Sequence, residues 1–377
     1  MMRSNDEYIW QKANWYEWKY DIEKLSPLLN QTHYQQGLLL GKMSTLGFEL
    51  SEQARLQVLT QSVLKNSEIE GEILNPHSVR SSLARRLGLD IGALPPVDRS
   101  VEGIVEMTLD AVENHHSPLT LKRLFAWHAA LFPTGYSGMS KIAVAQLRDD
   151  KNGAMQVVSG RIGRQKIHFQ APPAKQLFAE MQHFLAWYNK KQEIDPFIKA
   201  GIVHLWFLTL HPFEDGNGRI ARAIADNLLA KAEGNGQRFY SLSAQIQQQR
   251  SEYYQILEQT QRSEKTLTEW LEWFLTCLKN AIENAQQILS KVLCKNRYWQ
   301  QWQGLSFNAR QTKVLNLLLE DFEGKLTNKK YAALTKVSRD TALRDLTDLV
   351  EKGILQRSES GGRSVSYEIV EKAQVEQ

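Results

Sequence analysis

Several groups that define common protein classes are scarce or missing. Only two cysteines, Cys277 and Cys294, occur in 377 residues, and neither lies in a CxxC pair. That excludes a cysteine zinc site and a dithiol redox centre, and two reduced, packed thiols are expected. No GxxxxGK[ST] loop is present, which excludes a P-loop nucleotidase. The strongest apolar run, residues 205–210, is far shorter than the ~20 residues that span a bilayer. The opening residues 1–8 are polar and lack the apolar core of a secretory leader, so a cytoplasmic location without membrane contact is expected. A net charge of +4 is too small to argue for nucleic-acid or membrane binding on its own. Apolar residues make up 42% and charged residues 23%, an ordinary globular balance in a chain long enough for two or three domains.

Helical periodicity fills most of the chain. Residues 51–64, 175–188, 197–210 and 268–284 carry apolar side chains at three-and-four spacing. Pro172 and Pro173 stand where a helix can open. The pattern breaks at residues 155–169, where Val157, Val158, Ile162, Ile167 and Phe169 are divided by Ser159-Gly160 and Gly163, the grammar of a short β-hairpin. Residues 87–96, rich in Gly and Pro, read as a loop. Beyond residue 305, helices at 308–319, 327–334 and 339–351 precede strands at 354–357 and 364–369, joined through Gly361-Gly362. Three helices and a β-hairpin in that order describe a winged helix-turn-helix. The expected fold is mainly α. A helical domain spans 1–95, a helical core with a β-hairpin flap spans 96–290, and a winged helix spans 300–372.

Residues 211–222 read His-Pro-Phe-Glu-Asp-Gly-Asn-Gly-Arg-Ile-Ala-Arg. Pro212 ends an upstream helix near His211. Gly216 and Gly218 bracket a turn with accessible amides, and a new helix is expected from Ile220. A helix N-terminus of this kind attracts phosphate. Arg219 and Arg222, three apart, reach one anion together. Asp215 is a hard oxygen ligand suited to Mg²⁺ beside phosphates. His211 can accept a proton from a hydroxyl near neutral pH. Base, metal ligand, anion-binding turn and two arginines together describe phosphoryl or nucleotidyl transfer. A dinucleotide-binding reading of Gly216–Ala221 needs a βαβ unit, and no strand–helix alternation surrounds it.

The run 211–222 resembles the Fic signature HxFx(D/E)GNGRxxR at each defined position. The resemblance implies a protein adenylyltransferase that moves AMP from ATP to a Tyr, Thr or Ser hydroxyl of a protein substrate, itself included. It gives His211 the role of base and Asp215 that of Mg²⁺ ligand. Gly216, Asn217 and Gly218 steady charge on the transferring phosphoryl group, and Arg219 and Arg222 clamp the β- and γ-phosphates. Phe213 anchors the loop. The flap, with Val157, Val158, Ser159 and Gly160, aligns the segment to be modified. Tyr253 contacts adenine, and Gln261 stands where relatives place an adenine-binding Asn. His204, also recurrent in such sequences, reads as a packed helix residue. The segment from Tyr8-Ile-Trp10 onward resembles a Fic-associated N-terminal domain, and a homodimer is implied by the family alone.

Residues 66–71, Asn-Ser-Glu-Ile-Glu-Gly, resemble the Fic inhibitory motif (S/T)xxxE(G/N), with Asn66 in place of Ser or Thr. Glu70 is then expected to pair with Arg222 where the γ-phosphate must go. Otherwise Glu68, Glu70 and Glu72 form a solvated acidic face. The same Glu allows a de-AMPylating activity as an alternative. The C-terminal segment is similar to bacterial winged-helix repressors. Lys336, Arg339, Arg344, Arg357 and Arg363 could meet DNA phosphates there, though dimerisation or target docking fits equally. The competing reading of the whole chain is a DNA-binding regulator whose Fic site senses nucleotide. Transfer of phosphate, UMP or phosphocholine is a further option.

Overall fold

The computed structural model describes residues 8–89, 99–160, 164–234, 236–262, 266–319, 322, 324–358 and 365–370. The chain divides into two compact units, Met1–Gln286 and Gln287–Gln377. Most of the loop expected at 87–96, the 95/96 domain boundary, Ile162 and Gly163 of the flap, and 361–364 of the wing lie outside the described residues. The fold is mainly α. Among the described residues no helix is long and apolar enough to cross a membrane.

The first unit opens with a 3-10 turn at Ile9–Gln11 and continues through α1 (Ile22–Ser44), α2 (Phe48–Ile69), α3 (Pro76–Arg86), α4 (Arg99–Glu113) and α5 (Leu121–Leu131). Two small antiparallel hairpins follow, β1 (Tyr136–Ser137) with β2 (Ser140–Lys141), and β3 (Gln156–Ser159) with β4 (Lys166–Gln170). Next come α6 (Ala174–Asn189), α7 (Pro196–Leu210), α8 (Asn217–Glu233), α9 (Leu242–Gln248), α10 (Arg250–Arg262) and α11 (Thr268–Gln301), whose residues after Gln286 belong to the second unit.

Helix α7 is the centre of this unit. Asp195 caps it by accepting from the Phe197 amide at 2.8 Å, and Pro196 fills the first position, where no amide partner is needed. Every residue from Ile202 to Leu210 is buried, so this part of the helix has no solvent face. It packs along α8, whose Ile220, Ile224 and Leu229 are fully buried. Helix α2 crosses α8 and α9 and extends beyond the apolar stripe at 51–64, because Asn66, Ser67 and Ile69 are buried against the core. The hairpin β3–β4 is the expected flap. Its base is gripped by the N-terminal segment, where the Tyr8 ring meets Phe169 edge-on at 5.3 Å and the Trp10 indole donates to the Gln170 carbonyl at 2.7 Å.

The second unit has α12 (Ala309–Leu318), β5 (Leu326–Thr327), α13 (Asn328–Thr335), α14 (Arg339–Glu351), β6 (Leu355–Arg357) and β7 (Ser366–Ile369). Its sheet runs β5–β7–β6 and is antiparallel, the topology of a winged helix. Strand β5 is an addition to the sequence reading, too short to show alternation. Ser338 caps α14 through the Thr341 amide, and Lys336 makes the preceding turn in the left-handed region at φ 55°. Val314, Leu315, Tyr331, Leu346 and Leu349 form the core. Asp345 ties it together by accepting from Arg310, Asn308 and the Tyr331 hydroxyl.

Candidate active site

The loop between α7 and α8 carries the motif. His211 ends α7 in the left-handed region (φ 49°), a conformation a non-glycine residue adopts only when its surroundings hold it there. The holder is Arg148, which sequence reasoning did not single out. Its side chain is almost fully buried, and its Nε donates to the His211 carbonyl at 2.8 Å. Its Nη2 donates to the Pro172 carbonyl at 2.6 Å, and its backbone amide donates to the Pro212 carbonyl at 2.9 Å. The His211 ring Nδ1 faces the Leu208 carbonyl at 3.3 Å, so Nδ1 is the donor and Nε2 is left as the basic nitrogen. Burial pulls the His211 pKa below its ordinary value, to about 4. The imidazole is therefore neutral, a proton acceptor, at neutral pH.

A second histidine, which the sequence reading did not single out, shapes the same loop. His128 of α5 accepts from the Ala145 amide at Nδ1, so its Nε2 donates to the Asp215 carbonyl at 3.2 Å. Its ring stacks on Phe213 at 4.3 Å, and burial lowers its pKa. Phe213 is fully buried, as expected for an anchor.

Helix α8 begins at Asn217, three residues earlier than the sequence pattern indicated. The reason is Gly216, which takes φ 81° as the N-cap; a Cβ there would also lie 2.9 Å from the Phe132 ring. The first intrahelical bond runs from the Ile220 amide to the Gly216 carbonyl, so the amides of Asn217, Gly218 and Arg219 lack helical partners. Asn217 is buried at the end of the loop. Its buried amide closes on the Phe213 backbone in both directions, accepting at 3.0 Å and donating at 2.8 Å. Both bonds shape the loop. The Gly216 amide is not open, because it donates to the Asp215 carboxylate at 2.5 Å. The half-exposed Asp215 also accepts from the Ser137 hydroxyl of β1.

Both motif arginines are paired with carboxylates from the end of α2. Arg222, almost fully buried, donates through Nη2 to Glu70 at 2.7 Å. Arg219 donates through Nη1 to Glu72 at 2.8 Å and lies over the Phe132 ring at 4.9 Å. Asn66 belongs to this network. Its Oδ1 accepts from Arg222 Nε at 2.5 Å and its carbonyl from Nη2 at 3.0 Å. The residue that departs from the usual Ser or Thr thus grips the arginine itself. Gly218 makes room for Glu70, since a Cβ there would lie 2.1 Å from Glu70 Oε1. The carboxylate therefore lies over the first turn of α8, where the helix dipole favours an anion.

The flap residues Val158, Ser159 and Gly160 are exposed and Val157 is partly buried. Ser159 is hydrogen-bonded to His168, which in turn bonds Glu258 of α10. The two adjacent tyrosines of α10 differ in exposure. Tyr253 is 1% exposed, its hydroxyl meets buried His204 at 2.8 Å, and its ring packs against Trp273. It has no open face to offer a base. Tyr254, 38% exposed, lies under Arg250 with its hydroxyl 3.4 Å from the Ile69 carbonyl, beside Glu70. Gln261 is buried on Thr209. Sequence alone does not separate adjacent tyrosines on a helix whose facing is unknown.

A left-handed histidine, a glycine-opened helix N-terminus and two arginines at its first turns lie together on a helical core. Residues 118–229 match the Fic/DOC family, residues 8–89 match a domain of unknown function, DUF4172, and residues 310–368 match the DeoR-like helix-turn-helix domain. The Fic/DOC match lies between the other two along the chain. A Fic family protein from Desulfovibrio desulfuricans shares the fold with a TM-score of 0.50 at 19% identity, covering 92% of this chain and 97% of that one. A Fic-domain signalling protein from Bacteroides thetaiotaomicron gives a TM-score of 0.51 at 19% identity over 71% of this chain and 96% of that one. The protein adenylyltransferase Fic of Drosophila mojavensis is 36% identical over 80 residues, 21% of this chain and 15% of the relative. The protein adenylyltransferase and cysteine protease IbpA of Histophilus somni is 22% identical over 225 residues, 59% of this chain and 5% of the relative. The chain thus spans a small part of the curated relatives it matches.

Proposed function

We propose that the protein transfers AMP from ATP to a hydroxyl side chain of a protein, and that Glu70 restrains the reaction. The observation that carries this reading is the pair His211 and Arg222: a neutral imidazole whose Nδ1 is turned to the Leu208 carbonyl, leaving Nε2 as the basic nitrogen, and a buried guanidinium already holding an anion. His211 Nε2 takes the hydroxyl proton as the oxygen bonds the α-phosphorus. The bond from the α-phosphorus to the bridging oxygen breaks, and pyrophosphate leaves with that electron pair. The free amides at the start of α8 stand ready for charge on the transferring group, with Arg219 and Arg222 on the leaving phosphates. Asp215 is the residue suited to Mg²⁺. Among the described residues no cluster of three acidic, His or Cys side chains surrounds it, so phosphate oxygens and water would complete the shell. When bound, the ion offsets phosphate charge.

Glu70 opposes this chemistry by competition. A carboxylate and a γ-phosphate seek the same guanidinium fork, and Asn66 keeps that fork turned toward Glu70. The test is self-labelling with ATP in wild type, Glu70→Gly, and Glu70→Gly with His211→Ala. Labelling rises by at least tenfold in the first variant and is lost in the second if the reading holds. Equal labelling in all three would remove both roles.

A second reading, DNA binding, draws on the DeoR-like match and on Lys336, Arg339, Arg344 and Arg357, all exposed on the second unit. It is compatible with the first. Retention of DNA fragments at low salt, lost in Arg339→Ala with Arg344→Ala, tests it.

A further inference from the structure

We propose that Glu72 is a second lock on the phosphate site, acting on Arg219 as Glu70 acts on Arg222, and that the two set how many phosphates a bound nucleotide may carry. The proposal rests on the adenine-nucleotide reading above. The inhibitory pattern ends at Gly71, so Glu72 lies outside it.

One turn places both acids. Helix α2 ends at Ile69, and Gly71 takes the left-handed conformation at φ 83°. The Gly71 amide bonds the Glu68 carbonyl at 3.0 Å, and the Glu72 amide bonds the Ser67 carbonyl at 3.1 Å. This is a Schellman cap, which reverses the chain within three residues. Glu70 and Glu72, on either side of the glycine, therefore reach α8 at residues three apart. The result is two parallel acid–arginine pairs, Glu70–Arg222 and Glu72–Arg219.

Arg219 is built to change partners. Its position is fixed by the Phe132 ring at 4.9 Å, independently of Glu72. Its Nη2 is 4.0 Å from Asp215, and its buried Nε has no hydrogen-bond partner among the described residues. Releasing Glu72 thus leaves a steady guanidinium with donors to spare at the start of α8. Arg222 holds the far end of a triphosphate in the reading above, which leaves Arg219 for the β-phosphate. AMP, having neither, needs neither arginine. The two locks also differ in strength. Glu72 is 41% exposed against 31% for Glu70, and Arg219 8% against 1% for Arg222. The outer pair is more screened and opens first.

Equilibrium binding of AMP, ADP and ATP to the intact chain tests this without turnover. The forms are wild type, Glu72→Gln, Glu70→Gln, and Glu72→Gln with Arg219→Gln. Glu72→Gln is expected to raise ADP affinity roughly tenfold and leave AMP unchanged. Glu70→Gln is expected to favour ATP over ADP. Adding Arg219→Gln should erase the ADP gain. ADP affinity within twofold of wild type in Glu72→Gln overturns the second lock, as does an equal gain for AMP, which would mark general removal of negative charge. A selective ADP gain in a chain that transfers no AMP would retain the lock and remove the transferase reading. No adenine nucleotide binding in any form would remove both.

Discussion

His211 combines two properties that rarely coincide, a left-handed backbone and a desolvated ring. Burial is the main cause of its lowered pKa. Arg148 adds to the lowering, while the Leu208 carbonyl, Glu70 and Asp215 oppose it. A base must be neutral to accept a proton, so activity falls only as His211 becomes protonated. Labelling by Glu70→Gly protein is expected to stay level from about pH 8 to about pH 6 and to fall below about pH 5. A midpoint near the ordinary value of about 6.5 would show a solvated histidine instead. The two tyrosines separate at the same scale. Tyr254→Ala is expected to weaken nucleotide binding by about 1–3 kcal/mol if its exposed ring stacks on the base. Tyr253→Phe should leave binding unchanged and cost about 1 kcal/mol of stability, read by denaturant unfolding, through the lost bond to His204. The motif residues were legible because their chemistry lies in local spacing. Asn66, Arg148 and His128 act on residues 63 to 156 positions away, which no local pattern encodes.

At the level of elements, the end of α2 carries both acids of the proposed restraint. Its Schellman cap depends on one left-handed glycine with open space around it. Gly71→Ala meets no steric neighbour but still costs about 1–2 kcal/mol for its φ. Because both acids depend on that turn, this variant is expected to raise self-labelling as well as lower the melting temperature. A stability loss without added labelling would separate the turn from restraint. Element types were readable where periodicity was long, as in α6, α7 and α14. Boundaries slipped where tertiary contacts decide them. Helix α2 runs to Ile69 because it packs on α8 and α9, and α8 starts at Asn217 because Gly216 caps it. Strands β1, β2 and β5 have two residues each, too few for an alternating pattern.

Across the whole molecule, the proposed nucleotide site and a winged helix share one chain. The first unit supplies the proposed chemistry and its restraint, and the second supplies an exposed set of basic residues on a separate core. The central claim is that the group moved is AMP, and the position of a radiolabel decides it. Glu70→Gly protein is incubated with ATP labelled at the α-phosphate or, separately, at the γ-phosphate, and protein-bound label is measured after denaturation. The account predicts label from the α position and none from the γ position. Retained γ-label would contradict it and make the enzyme a phosphate-transfer catalyst.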